Sequence, residues 1–280
     1  MMSLEAKVVQ EEESEQASVL ETQGLTRRFG SLVAVDNFTV QVKGGEMFGL
    51  VGPNGAGKST VIKMLTTLLP PTSGNASIAG HDILHHAPDV RRVIGYVPQL
   101  LSADGSLTGY ENLLIFAKLY NLPRDERKKR VQEALDFMGL SEVADNLAHN
   151  YSGGMIRRLE IAQSMLHRPK VLFLDEPTVG LDPIARTTVW EHIKKLRDNY
   201  GTTILLTTHY MEEADALCRR VAVMHLGKVV AIGTPTALKE SVGPNATLND
   251  VFVHYAGYEL ESGGNFRDVS RTRRVAQRLG

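Results

Sequence analysis

Gly52-Pro53-Asn54-Gly55-Ala56-Gly57-Lys58-Ser59-Thr60 is the stretch on which the reading of this 280-residue chain turns. Gly52, Gly57, Lys58 and Ser59 stand at the G-x-x-x-x-G-K-[ST] spacing of a phosphate-binding loop. Small residues let the backbone curl until successive N–H groups point at one spot, a cradle for phosphate oxygens. Lys58 can reach terminal phosphates as a point charge, and Ser59 offers a hydroxyl to Mg2+. The flanks set the loop apart from a glycine-rich turn without a ligand. Met47 to Val51 reads as a short buried strand, and Val61, Ile62, Leu65, Leu68 and Leu69 are spaced for one helix face. Strand, loop and helix in that order aim a helix N-terminus at the anion. The stretch predicts that the chain binds a nucleoside triphosphate.

Further along, Val171-Leu172-Phe173-Leu174 is a continuous apolar run, the pattern of a central parallel strand buried on both faces. It delivers Asp175 and Glu176 together at its C-terminal end, where ligands sit in parallel α/β sheets. Adjacent carboxylates directly after a buried strand are costly without partners, and a metal and a water would supply them. Asp175 is thus a candidate Mg2+ ligand, and Glu176 a candidate to orient or deprotonate an attacking water. Thr203 to Thr208 forms the next strand and places His209 on the same edge, within reach of a γ-phosphate or that water. The other eight histidines have no such position. Val93 to Gln99 reads as a strand ending at Pro98; Gln99 at its exit is either a metal- or water-positioning amide or an ordinary loop residue.

Upstream, Val19 to Thr22 and the alternating Phe38, Val40 and Val42 suggest antiparallel strands, with turns at Phe29-Gly30 and Lys43-Gly44-Gly45. Phe29 is either an aromatic that stacks on a base or a core phenylalanine. Ser77 to Gly80 looks like another short strand. From Thr108 to about Leu166 the pattern is helical, with apolar stripes at Leu113, Leu114, Phe116, Ala117, Tyr120 and at Val131, Leu135, Phe137, Met138, Leu140. Charge-dense Arg124 to Arg130 between them reads as a solvated face. Ser152-Gly153-Gly154 opens a helix that Ser152 can cap, either a second anion site or a plain capped turn. Gly180-Leu181-Asp182-Pro183 turns into a further helix, and strands at Val221 to Met224 and Lys228 to Gly233 close the fold. The Glu-rich start, with Glu11, Glu12, Glu13 and Glu15, and the Arg-rich end from Gly263 read as flexible tails, contact with anionic lipid being a second reading for the latter.

Lys plus Arg at 31 against Asp plus Glu at 32 leaves a net charge of -1, which gives no support to a nucleic-acid binder. Hydrophobic residues at 42% are ordinary for a soluble globular protein. The single cysteine, Cys218, rules out an internal disulfide, suits a reducing cytosol and reads as a small buried residue. No apolar run approaches the ~20 residues that span a bilayer, and no signal-peptide pattern opens the chain. Work at a membrane would require a partner.

Taken together these elements resemble one family, the ATP-binding-cassette ATPases, over about residues 19–235. The resemblance implies an α/β fold of the P-loop NTPase type: a mixed central sheet, an antiparallel β subdomain and an inserted α-helical subdomain at about 100–166. The acidic tail, 1–18, would precede it, and a C-terminal extension with the basic tail, 236–280, would follow. Two such domains would pair head to tail, each ATP lying between the phosphate loop of one and the signature helix of the other. By that likeness Gly52, Pro53, Asn54, Gly55, Ala56, Gly57, Lys58 and Thr60 bind phosphate, while Ser59, Gln99 and Asp175 serve Mg2+. Glu176 resembles the catalytic base and His209 the γ-phosphate sensor. Phe29 sits where an adenine-stacking aromatic is found. Ser152, Gly153 and Gly154 would meet the opposite chain's γ-phosphate, and Asp182 would couple the two sites. Tyr151 and Met155 depart from the common LSGGQ signature; the inner Ser-Gly-Gly keeps the anion contacts, but any ribose contact of the glutamine is lost.

More narrowly, Tyr151 to Met155 with Arg157-Arg158-Leu159, His209-Tyr210-Met211-Glu212-Glu213-Ala214, and Ala246 to Phe252 are similar to the drug- and polysaccharide-exporter ATPases, the daunorubicin-resistance-like group. Their permease is a separate integral-membrane chain. That likeness implies a peripheral place on the inner face of the cell membrane and export of a drug, lipid or polysaccharide. The alternative is a cassette ATPase without a transport task, in DNA maintenance, translation or cluster assembly. One cassette, no heptad run and no basic surplus stand against the first two.

Overall fold

The computed structural model describes residues 7–8 and 17–257. The Glu11–Glu15 cluster and the Arg-rich end, both read as flexible tails, lie outside the described residues. After β1 (Lys7–Val8) come β2 (Ser18–Phe29), β3 (Leu32–Phe38) and β4 (Gln41–Lys43), then β5 (Met47–Val51), which leads through the glycine loop into α1 (Lys58–Leu65). Next are β6 (Ser73–Ile78), β7 (His81–Asp82), α2 (Ala87–Val93) and β8 (Ile94–Val97). A helical stretch holds α3 (Gly109–Leu119), α4 (Arg124–Phe137) and α5 (Gly153–Met165). The chain then alternates β9 (Val171–Asp175), α6 (Pro183–Tyr200), β10 (Thr203–Thr208), α7 (Met211–Leu217), β11 (Arg220–His225), β12 (Lys228–Gly233), α8 (Pro235–Val242) and α9 (Leu248–Ala256).

Among the described residues the main sheet runs β1-β12-β11-β5-β10-β9-β8. Only the β11–β12 pairing in it is antiparallel, so the sheet is mixed, as expected. β2, β3, β4, β6 and β7 pair antiparallel in the second sheet. Every residue of β5, β9 and β10 is buried, because parallel strands need crossover helices that cover both faces. The two-residue side-chain period then divides the strands between two cores. Leu172, Leu174, Ile204 and Leu206 face the helical side, whereas Val171, Phe173 and Leu205 face α1 and the antiparallel sheet. Leu238, Leu248 and Val251 of the last two helices join the helical-side core.

The helical insertion follows its apolar stripes: Leu113, Ala117, Val131, Leu135, Met138 and Leu140 are buried. Thr108 and Glu111 form a reciprocal capping box at the start of α3, which satisfies two otherwise orphaned N–H groups. Four boundaries differ from the sequence reading. Helix α1 ends at Leu65, and Leu68, assigned to its buried face, is 61% exposed after Thr67 turns to φ +62°. β6 starts earlier, at Ser73, because Ser73 pairs with Thr26 of β2 and Asn75 to Ile78 pair with Gln23 to Leu20. Ala79 and Gly80, read as strand, take φ +51° and +84° in the turn to β7. Val93 belongs to α2 rather than β8.

Buried Cys218 has its Sγ 2.8 Å from where a Cβ on Gly49 would stand. Burial pushes its thiol pKa well up, and Glu213 and Glu46 add to the rise.

The glycine loop is wedged between backbones. Gly57 takes φ +102°, and a Cβ on it would lie 2.5 Å from the carbonyl oxygen of Ala34. Gly57→Ala should therefore cost roughly 2–5 kcal/mol, from the left-handed backbone and overpacking against a rigid neighbour. Urea unfolding of the two proteins measures the loss.

Candidate active site

Four neighbouring strands end on one edge of the main sheet, and their exits bring the candidate residues together. β10 sets the register: Thr207 lies directly opposite Asp175, and Thr208 opposite Val51. Val97 of β8 stands opposite Leu174 of β9, so Gln99 emerges beside the carboxylates. Asp175 and Glu176 are 3% and 5% exposed. Ser59 Oγ donates to Asp175 Oδ1 at 3.0 Å, and Thr207 Oγ1 donates to the same oxygen at 2.5 Å. Gln99 Nε2 donates to Glu176 Oε2 at 3.1 Å. Lys58 Nζ lies 3.4 Å from Glu176 Oε1. His209 Nδ1 is 3.3 Å from Glu176 Oε2, off the line that a hydrogen bond needs. Glu176 itself takes φ +49°, an uncommon conformation for a side-chain-bearing residue and one often found at functional sites. Its N–H bonds the carbonyl and the hydroxyl of Thr207, each at 3.0 Å.

The loop itself is built for an anion. Gly52 packs so closely that a Cβ would stand 2.3 Å from the Met224 carbonyl, and Gly55 takes φ +86°. Pro53, Asn54 and Gly55 are exposed, and Ala56 is buried. Ala56 accepts from the N–H of Gly227 at 3.0 Å, which ties the loop to the β11–β12 turn. No side chain caps the N-terminus of α1, so its first N–H groups are open to an outside acceptor. Thr60 is half-buried on its first turn. Lys58 is buried and donates to the carbonyls of Gly52 at 2.8 Å and Pro53 at 3.1 Å. Burial pulls its pKa down, opposed by Glu176 first and Asp175 after it. Burial likewise pushes the Asp175 pKa up against the hydrogen bonds of Thr207 and Ser59. Both shifts mark charges held short of solvation, the state that a triphosphate beside Lys58 and a divalent cation beside Asp175 would relieve. The Ser59 hydroxyl and the Asp175 carboxylate are hard oxygen donors, the class that suits Mg2+. The residues fit both groups.

Ser152, Gly153, Gly154 and Asp182 form a separate group. Ser152 caps α5 by accepting from Met155 N at 3.3 Å. Gly153 and Gly154 lie against Leu181 and Ala185, where added Cβ atoms would stand 3.2 Å and 2.9 Å from those side chains. Asp182 caps α6 through the N–H groups of Ile184 and Ala185. Phe29 is half-buried at the end of β2, belongs to neither buried core, and has the Arg27 guanidinium 4.6 Å from its ring centroid.

Three residues that the sequence reading passed over contribute. Thr207 binds both acidic residues; a polar pair closing an otherwise apolar strand was its only signal. Arg157, buried within a helix, donates to the carbonyls of Pro98 and Gln99. Glu213, fully buried, accepts from Thr178 Oγ1 and Trp190 Nε1, each at 2.8 Å.

The family model of the ABC transporter matches residues 35–179. The chain is 46% identical to a daunorubicin/doxorubicin resistance ATP-binding protein of Streptomyces peucetius, over 81% of this chain and 68% of that one. It is 42% identical to a Nod factor export ATP-binding protein of Cupriavidus metallidurans, over 80% of this chain and 74% of that one. Among solved structures it resembles a dimeric ATP-binding cassette in a post-hydrolysis state with ADP and phosphate bound. The TM-score is 0.68 at 28% identity, covering 77% of this chain and 98% of that one.

Thr207→Val would keep the shape of the strand end but remove one of the two partners of Asp175 Oδ1 and one of the two of the Glu176 N–H. Stability should fall by about 1.5–3 kcal/mol, the net worth of a hydrogen bond to a charged group, read from urea unfolding midpoints.

Proposed function

This chain belongs to the ABC transporter family and is the ATP-hydrolysing subunit of an exporter-type transporter; from that premise we propose how its residues divide the work. The observation that carries the proposal is the convergence of Lys58, Gln99, Asp175, Glu176 and His209 at adjoining strand ends. Residues 52–60 wrap the triphosphate, and Lys58 turns from its loop carbonyls to the terminal phosphates. Ser59, Asp175 and Gln99 hold Mg2+, which when bound neutralises charge on the phosphate oxygens. Glu176, freed from Lys58, orients the attacking water and accepts its proton, and His209 bonds the γ-phosphate. Phe29 packs on the base.

Two anion-binding helix starts in one chain, in separate groups, support head-to-tail pairing of two copies. Ser152, Gly153 and Gly154 of one copy then close on the γ-phosphate held by the other, with Asp182 at the contact. The dimeric cassette with ADP and phosphate among its structural relatives supports pairing of two copies. We assign residues 19–235 to the nucleotide-binding domain, with the helical insertion at about 100–166. No helix among the described residues is long and apolar enough to cross a membrane. The exposed Leu100, Leu101 and Leu119 beside or on that insertion support docking of a separate membrane permease there, and with it a position on the inner face of the membrane. The relatives' names, daunorubicin/doxorubicin resistance and Nod factor export, point to drugs and signal molecules as cargo; lipids or polysaccharides are proposed on the likeness of the sequence motifs alone.

Glu176→Gln should slow hydrolysis by ~10²–10⁴, the usual effect of removing a positioned general base, while ATP still binds and holds a dimer. Phosphate release and light scattering in ATP and Mg2+ test both halves; full turnover overturns the role given to Glu176. Lys58→Ala should weaken ATP affinity by at least ~10-fold, about 1.4 kcal/mol, in a nucleotide titration. Unchanged affinity would count against the loop assignment.

A further inference from the structure

Helix α5 is capped by Ser152, and one to two turns further on it carries Arg157 and Glu160, three apart and therefore on one face. Each is 2% exposed. Arg157 Nη1 donates to the Pro98 carbonyl at 2.7 Å, and its Nη2 to the Gln99 carbonyl at 2.9 Å. The same Nη1 lies 3.0 Å from Glu160 Oε2. Glu160 Oε1 accepts from the N–H of Ser102, from Ser102 Oγ at 3.1 Å and from the N–H of Ala103 at 3.3 Å. One stretch of helix thus grips both ends of the loop 98–103. Gln99, at the first of those two ends, has its side chain bonded to Glu176.

Stability alone does not require charge here. Apolar residues of matching volume often stabilise a buried position as well as an ion pair does. What the ion pair adds is direction: a planar guanidinium fixes two successive carbonyls in one orientation, and the carboxylate fixes the far end of the loop.

We propose that Arg157 and Glu160 form a positioning clamp that carries the nucleotide state sensed by Gln99 to the N-terminus of α5, and so to the nucleotide held by the second copy. The proposal rests on the head-to-tail pairing given above. Gln99 has two partners to choose between, Glu176 or the metal. When it leaves the first for the second, the carbonyls of residues 98 and 99 shift, the guanidinium follows them, and Ser152 to Gly154 move with their helix. Neither clamp residue touches the phosphate loop, so the clamp acts on turnover and on communication between sites rather than on ATP affinity.

The test uses the full chain with Arg157→Met and Glu160→Met together, which removes the clamp without stranding a buried charge. Arg157→Lys alone keeps the charge and loses the fork. The native chain should show a sigmoidal dependence of hydrolysis on ATP. In the double variant that dependence should become hyperbolic, with kcat lower by ~10–100-fold, the scale of a small misplacement of reacting groups, and KM for ATP nearly unchanged. Arg157→Lys should also lose the sigmoidal shape, and it decides the matter should the double variant fail to fold. A hyperbolic native curve, native kcat and native sigmoidicity in the folded variant, or a loss confined to KM overturns the clamp. If the Glu176→Gln chain with its clamp intact stays monomeric in ATP, the pairing falls and the proposal with it. Dimerisation of that chain alongside unaltered cooperativity in the double variant removes the clamp alone.

Discussion

Two consecutive carboxylates buried at the end of an apolar strand set the terms for the rest of this molecule. Left alone, each would cost several kcal/mol or take up a proton. Asp175 is instead held by hydroxyls from β10 and α1, and Glu176 by an ammonium from the glycine loop and an amide from beyond β8. Those donors reach the carboxylates only if β5, β10, β9 and β8 lie side by side in their observed registers. A slip of one residue would turn Thr207 away from Asp175 and present an apolar side chain in its place. The buried charge thus makes strand order and register a condition of folding, and it does so at the edge to which we assign the nucleotide chemistry.

The two cores flanking the sheet serve different ends. On one side, Phe48, Leu50, Val61, Ile62 and Phe173 lock α1 and the antiparallel strands onto the sheet, which fixes the loop around Gly57. On the other, Leu113, Leu135, Leu159 and Leu172 join the inserted helices to the same strands. The second core is larger, and its outer layer, the charged face of α4, is solvated: of that helix only Val131 and Leu135 are buried. Helix α4 is therefore held by a narrow seam, whereas α5 is buried over most of its length and reaches residues 98–103 through the polar contacts of Arg157 and Glu160. Different side chains of the same strands supply the two anchorages.

Much of the site is legible in the sequence because its chemistry is written in short runs. Residues 52–60 and the pair Asp175-Glu176 each carry their meaning in a few neighbouring positions, and the apolar flanks say which element precedes and follows. His209 could be placed once the strand before it was read. Thr207, Arg157 and Glu213 could not, since their partners lie far along the chain and only the sheet order brings them close. The Ser59–Asp175 bond alone spans 116 positions. Boundaries failed for a related reason. Leu68 fits the helical period, but α1 stops when the chain must turn back toward β2, and β6 gains its early residues only by pairing with β2. The two readings left open for Phe29 were open because exposure is a property of neighbours: packing at a hairpin end is decided by Arg27 and the strand twist.

The lone sulfhydryl of this chain has a practical consequence. With Cys218 closed in behind Gly49 and its ionisation suppressed, maleimides and other thiolate-seeking reagents find no ready target in the folded chain. A cysteine introduced at an exposed position would be the one reactive handle for a fluorophore or spin label, with no background to engineer away. Slow modification of the native thiol would in turn report how often the strand and helix around it come apart.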